Sequence, residues 1–179
     1  MEQQLQSIEE QVGKGRNYDA PPLHLWHPPL SGDIPIVITA YGTWYHDGGK
    51  IERESLVGLF ASILRREEDG HYYLVTPGEK WRIEVELHPL MVTDVEVLGE
   101  GDIPVLQAVL NTGKKVLINE EHPLFLEPAV GDIAAIKLPH GLTALFTRAA
   151  WYRLVEMAED RDGVATVTSA GHAFRLVSH

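Results

Sequence analysis

Residues 53–86, RESLVGLFASILRREEDGHYYLVTPGEKWRIEVE, carry the helical and strand patterns on which the fold depends. The first part of this stretch has apolar residues at the i, i+3, i+4, i+7 and i+8 spacing of one helical stripe. The pattern predicts an amphipathic helix that ends near Glu68, with Gly70 free to take the left-handed conformation beyond it. The stripe consists of Leu56, Leu59, Phe60, Ile63 and Leu64.

A turn and a strand follow this helix. Residues 76–79, TPGE, place proline second and glycine third, as a type II turn requires, and predict a hairpin whose loop is slightly longer than two residues. Residues 80–87 then alternate polar and apolar side chains, which predicts a strand with one buried face. Lys80 and Arg82 begin the polar row, so this row either binds an anion or is a solvated face.

Composition limits the classes of function. The chain has 179 residues, a net charge of -11 and no cysteine. Without cysteine there are no disulfides, thiolate metal sites or cysteine nucleophiles, and without a long apolar segment there is no membrane helix. We expect a soluble, cytoplasmic protein with no cofactor and no membrane partner. The acidic charge disfavours binding to extended nucleic acid, whereas a small anionic or nucleotide ligand and a homo-oligomer stay open.

Residues 1–31 are predicted to form a leader. Leu5, Ile8 and Val12 have helical spacing and predict a short helix followed by a flexible segment. Residues 20–31, APPLHLWHPPLS, predict an extended, proline-rich run across the surface. His24 and His27 are disfavoured as metal ligands because the sequence shows no further ligands near them.

An internal repeat predicts two related units. Residues 101–104 repeat the GDIP of residues 32–35, and an apolar strand, a turn and another strand follow. A second helix is predicted over residues 142–158, as the counterpart of the first. We therefore predict an α+β fold from a duplication, with units at residues 32–98 and 99–179, each of mixed strands and one helix.

The candidate site combines cations with aromatic rings. Arg148 lies beside the apolar stripe of the second predicted helix, where it needs a carboxylate partner or an anionic ligand. Lys80 and Arg82 supply further positive charge, and Trp44 and Tyr152 supply rings for stacking, although core packing explains aromatic residues equally well. We expect a non-enzymatic ligand-binding site that these five residues form between the two units.

Two other classes of function stay open. The chain contains no phosphate loop, dinucleotide fingerprint, nucleophile elbow or zinc-protease helix. A metal- or histidine-dependent hydrolase would use His46, Asp47 or His122, for which a structural role is the alternative. An adaptor would bind a partner protein through the proline-rich leader.

The order of several short motifs resembles that of a bacterial family of unknown function, DUF1285, over roughly residues 23–177. The motifs include GTWY at 42–45, YYLVTP at 72–77, NTG at 111–113, HPL at 122–124 and TRA at 147–149. The resemblance implies a duplicated α+β core, a second half like a pleckstrin-homology barrel and a ligand site between the halves. It also implies binding of a nucleotide or nucleic acid and a signalling role. Tyr41 and Gly78 depart from the family's pattern, and both lie in predicted turns.

Overall fold

The computed structural model describes residues 2–13, 21–99 and 101–177. The flexible segment predicted after the first helix falls on residues 14–20, outside this range. The chain divides into two compact units: the first runs to Pro89 and includes His140–Leu142, and the second comprises Leu90–Pro139 and the chain from Thr143 onward. This division precedes the predicted boundary at 98/99, because Leu90–Leu98 is a strand of the second sheet.

The first unit is built on a six-stranded mixed sheet in the order β3-β2-β1-β6-β5-β4. Strand β1 is parallel to β6, and the other neighbours are antiparallel. Two helices, α1 and α2, belong to this unit, and Trp44, Phe60 and Leu74 are among its buried residues. The elements are α1 Glu2–Gly13, β1 Gly32–Ile38, β2 Trp44–His46, β3 Gly49–Lys50, α2 Glu54–Ser62, β4 Leu64–Arg66, β5 Tyr72–Val75 and β6 Lys80–Val85.

The second unit has a six-stranded mixed sheet, one helix and a small three-stranded sheet. Read from one edge, the larger sheet has the order β9-β8-β7-β12-β11-β10, and β13-β14-β15 form the smaller antiparallel sheet. The elements are β7 Leu90–Leu98, β8 Val105–Leu110, β9 Lys115–Leu117, β10 Leu124–Glu127, β11 Ile133–Lys137, β12 Thr143–Phe146, α3 Arg148–Glu156, β13 Glu159–Arg161, β14 Val164–Ser169 and β15 His172–Arg175. The α+β prediction is confirmed.

The two larger sheets repeat one topology. Adding six to each strand number of the first sheet gives the order of the second. The parallel pair also recurs, as β1 with β6 and β7 with β12, and every other neighbouring pair is antiparallel in both sheets. The predicted duplication is confirmed at the level of strand order. The likeness of the second half to a pleckstrin-homology barrel stays a prediction.

The register of the duplication differs from the prediction. In the first unit GDIP opens β1, but in the second unit GDIP precedes β8, which corresponds to β2. The helices are also not counterparts, because α2 lies between the third and fourth strands of its unit and α3 follows the sixth. The repeated tetrapeptide is therefore a coincidence of turn residues, and the strand order alone carries the repeat.

The first predicted helix ends earlier than expected. Helix α2 ends at Ser62, and Leu64–Arg66 forms the edge strand β4 instead of a last helical turn. The Ser62 hydroxyl donates to the Leu59 carbonyl (2.6 Å), a bond that competes with helical pairing. Pairing of β4 with β5 buries Leu64 completely, so tertiary packing outweighs the helical period of the sequence.

The second predicted helix is a strand followed by a shorter helix. The apolar residues assigned to its first turns, Ala144, Leu145 and Phe146, are buried on β12 between β11 and β7. Thr147 then caps α3, because its side chain accepts a hydrogen bond from the Ala150 N–H (3.2 Å). The prediction of one helix over residues 142–158 is wrong. A strand that is buried on both faces is apolar throughout, so it lacks the alternation of polar and apolar residues that identifies a strand.

The loop at residues 76–79 connects β5 to β6 as predicted, and it is longer than two residues. Its type II geometry is wrong, since Gly78 lacks the positive φ that this turn requires. Two-residue turns with both φ values positive, the type I′ pattern, occur instead at three other hairpins. They are Asp47-Gly48, Asp162-Gly163 and Ala170-Gly171.

The predicted leader helix is present as α1, and it belongs to the first unit. Its residues Ile8 and Val12 are buried, and the Thr76 hydroxyl donates to Gln11 Oε1 (2.5 Å). The start of the predicted leader is thus packed on the unit and is not a separate element. Within the described residues, no helix is both long enough and apolar enough to cross a membrane.

Candidate ligand-binding site

The two predicted cations on β6 are paired with carboxylates. Lys80 Nζ lies 2.8 Å from Glu67 Oε1 and 4.7 Å from the centre of the Tyr73 ring. Arg82 Nε donates to Asp33 Oδ1 across the β1–β6 pair at 3.0 Å, and this bond raises the pKa of Arg82. Each positive charge therefore already has a negative neighbour, and binding of an anion by this row stays a prediction.

Glu67 lies between two cations. Its carboxylate accepts hydrogen bonds from Lys80 Nζ and from Arg65 Nη2 (2.7 Å). Partial burial acts to raise the pKa of Glu67, but the hydrogen bonds from Lys80 and Arg65 outweigh it, so this pKa lies below its ordinary value. The carboxylate is thus held in its charged form.

Arg65 also fastens the proline-rich leader. Its Nη1 donates to the carbonyl oxygens of Leu23 (3.0 Å) and Trp26 (2.9 Å), and its side chain is only 12% exposed. Leu23 is buried, and residues 23–25 form a short 3₁₀ turn in an otherwise irregular segment. The guanidinium of Arg65 therefore holds the leader to the first sheet. The sequence pattern had predicted this residue near the end of a helix, whereas it lies on β4.

Tyr73 and Asp69 form a second polar pair. The Tyr73 hydroxyl donates to Asp69 Oδ2 at 2.5 Å, and Tyr73 is buried. This hydrogen bond, with burial, raises the pKa of Tyr73 to about 12. The same bond, together with one from the His71 N–H, lowers the pKa of Asp69. Tyr73 therefore stays a neutral phenol and Asp69 a charged carboxylate over the whole physiological pH range.

Sequence reasoning missed Arg65, Glu67, Asp69 and Tyr73 as members of this network. The signal was the strand register, which pairs Arg65 with Tyr73 and Tyr73 with Arg82. Paired residues on neighbouring strands share one face of a sheet, so a correct β4 would have placed these side chains together. The helical assignment of Arg65 concealed that relation.

Trp44 is a core residue. It is 2% exposed, and its ring lies 6.4 Å from the Phe60 ring in a stacked arrangement. Packing of β2 against α2 accounts for the position of the ring. This is the core-packing interpretation that the sequence left open beside ligand stacking. Stacking of a ligand on Trp44 stays a prediction, and it would require displacement of core contacts.

Arg148 and Tyr152 are exposed on α3. Arg148 is the first residue of the helix, and no ion pair of Arg148 occurs in the part of the chain that the structure describes. Tyr152, four residues later, is 59% exposed and lies on the same face one turn away. The first turn contains no acidic residue. A guanidinium, an aromatic ring and the positive end of a helix are thus presented side by side.

Two of the three groups named for a hydrolase, Asp47 and His122, have local contacts, and the hydrolase stays a prediction. Asp47 forms the β2–β3 turn, and the His122 Nδ1–H donates to the Leu117 carbonyl (3.2 Å). Over residues 2–13, 21–99 and 101–177, no three His, Cys, Asp or Glu side chains form a group that suits a metal ion.

Comparisons with known proteins agree with the two-unit fold. The profile described as "Domain of unknown function (DUF1285), N-terminal domain" matches residues 21–87, and that described as "Protein of unknown function (DUF1285), C-terminal domain" matches residues 89–176. The two profiles meet where the structure divides. No curated protein matches the chain.

Two solved structures resemble this one. A DUF1285 family protein from Silicibacter pomeroyi DSS-3 is 37% identical, with a TM-score of 0.85, over 96% of this chain and 94% of that one. A DUF1285 family protein from Shewanella baltica OS155 is 28% identical, with a TM-score of 0.56, over 69% of this chain and 91% of that one. With both halves matched by profile and a relative of this identity over nearly the whole length, the chain belongs to the DUF1285 family.

Proposed function

We propose that the protein is a non-enzymatic, regulatory ligand-binding module that takes a small anionic or nucleotide-like ligand at the N-terminal turn of α3. Arg148 and Tyr152 form the site. The observation that supports it is the exposure of Arg148 at the positive end of a helix, without an ion-pair partner among the described residues. The other predicted cations, Lys80 and Arg82, have their charge compensated by Glu67 and Asp33.

The backbone of α3 adds to the positive charge. The first N–H groups of a helix have no partner within the helix, and a phosphate or carboxylate satisfies them. The Ala150 N–H is bonded to the Thr147 side chain and the Trp151 N–H to the Thr147 carbonyl (2.8 Å), so the cap fixes the turn. Arg148 and Ala149 are the first two residues of the helix, so their N–H groups lack a partner within it, and an anion at this turn would meet them together with the guanidinium.

Tyr152 favours a ligand with a ring over a simple anion. An exposed tyrosine offers an aromatic face at low conformational cost, and stacking of a base on such a ring contributes about 1–3 kcal/mol. With a net charge of -11, the chain repels polyanions as a whole, but a short ligand meets only the local field of α3. A mononucleotide therefore fits better than a long nucleic acid. The absence of cysteine favours a cytoplasmic setting for this module.

Calorimetric titration with adenosine monophosphate and with inorganic phosphate tests this proposal. We expect saturable binding of the nucleotide, weaker binding of phosphate, and at least a tenfold loss for both in Arg148→Gln. Tyr152→Leu should weaken the nucleotide and leave phosphate unchanged, because only the nucleotide has a ring to stack.

Arg153→Gln is the matched control on the same helix. Arg153 is also exposed, but its Nη1 is occupied by Asp94 Oδ1 at 2.8 Å, so its loss should leave binding unchanged. If Arg148→Gln and Arg153→Gln bind equally well, or if neither probe binds the wild type, the proposed site is wrong.

A further inference from the structure

Two buried ring nitrogens on β2 have no hydrogen-bond partner among the residues that the structure describes. They are Trp44 Nε1 and His46 Nε2. Trp44 is 2% exposed, whereas His46 is half-buried as a residue with its Nε2 shielded from bulk solvent. An unsatisfied buried donor or acceptor costs about 1–3 kcal/mol, and folded proteins rarely leave such groups unsatisfied.

The strand geometry places these two nitrogens on the same side of the sheet. Residues i and i+2 of a strand point to one face, and their Cα atoms lie roughly 6.5 Å apart. Trp44 pairs with Ile38 and His46 with Ile36, and both isoleucines are buried. These two cross-strand neighbours are apolar, and the Phe60 ring stacks on the indole. Neither neighbour on β1 offers a side-chain partner to either nitrogen.

The chemistry of the pair defines what it binds. An indole N–H donates and cannot accept, whereas an imidazole nitrogen without its proton accepts. One water molecule satisfies both, because its oxygen accepts from Trp44 Nε1 and one of its protons is donated to His46 Nε2.

We infer that Trp44 and His46 hold one structural water molecule between β2 and α2. This water completes the polar bonding of an otherwise apolar face and fixes the orientation of the indole against Phe60. This water belongs to the first unit, whereas the ligand proposed for α3 belongs to the second.

Water-to-protein NMR cross-relaxation on the full chain tests this inference. The Trp44 indole N–H, assigned by its loss in Trp44→Phe, should show a cross-peak to a long-lived water. Trp81 supplies the internal control: its Nε1 donates to Glu79 Oε2 (3.1 Å), so its indole N–H should show no such peak. In His46→Leu the Trp44 cross-peak should weaken at least severalfold.

Each outcome decides the question. A water cross-peak at Trp44 that depends on His46 supports the bridge. A peak that is unchanged in His46→Leu, or no peak at Trp44 in the wild type, overturns it. A crystal structure gives a second measurement that needs no variant: density for one water within about 3.2 Å of both nitrogens is expected. Density for a larger molecule, or for none, contradicts the inference.

Discussion

Replacement of Arg65 with methionine should destabilise the first unit and release the leader. The substitution keeps the apolar stem and removes the guanidinium, which donates to the carbonyls of Leu23 and Trp26 and to the carboxylate of Glu67. A hydrogen bond from a charged donor contributes roughly 1.5–3 kcal/mol. Water replaces part of this loss at the leader, and Lys80 still neutralises Glu67. We therefore expect a loss of about 2–4 kcal/mol, well below the sum of the four hydrogen bonds that the guanidinium donates.

Urea unfolding measures this loss, and limited proteolysis within residues 21–31 measures the release of the leader. Arg66→Met is the matched control, since the neighbouring Arg66 is exposed and donates to the Gly70 carbonyl at 3.3 Å. We expect a change below about 1 kcal/mol in the control and no faster cleavage of its leader. Equal stability of the two variants, with equal cleavage, would refute the anchoring role of Arg65.

Two further predictions concern single hydroxyl groups. Ser169→Ala should cost about 1–3 kcal/mol of unfolding free energy, because the buried hydroxyl accepts from the Leu106 N–H (2.8 Å) and donates to the Ile118 carbonyl. Thr168→Ala, which loses only an exposed contact with Arg161, should cost less than 1 kcal/mol in the same thermal scans, and an equal cost would show that Ser169 is not special. Ultraviolet titration should show Tyr73 with a pKa of about 12, and Asp69→Asn should move this pKa back toward 10. Since the raised pKa belongs to the folded state, the stability that Tyr73 provides is complete below pH 10 and is lost between pH 10 and about 12; stability that is flat over this range would contradict the assignment.

Local patterns predicted those elements whose side chains alternate between a wet and a dry face. Strand β6 and the first part of α2 follow from such patterns, whereas β8 follows from its short run of apolar residues. The helix prediction for residues 142–146 is wrong because β12 is a buried strand between β11 and β7. Its short run of apolar residues shows no periodicity that would distinguish a strand from a helix. The predicted end of α2 is wrong because pairing with β5 decides where β4 begins, and this pairing is not a local property of the sequence.

The candidate site was only partly accessible to sequence reasoning. The sequence selects Arg148 and Tyr152 for their residue type, but their exposure and their position on one turn of α3 come from the structure. Lys80 and Arg82 are cations like Arg148, but the register of strands β4, β5, β6 and β1 gives each of them a carboxylate partner. Charge is a property of the residue, whereas its availability depends on which neighbours the fold brings to it.

The backbone amide shifts of α3 test the central claim most directly. During a titration with adenosine monophosphate, the amides of Arg148 and Ala149 should show the largest saturable shifts, since their N–H groups meet the anion. In Arg148→Gln these shifts should disappear at the same nucleotide concentrations. Largest shifts around Lys80 and Arg82, or no saturable shift on α3, would contradict the account.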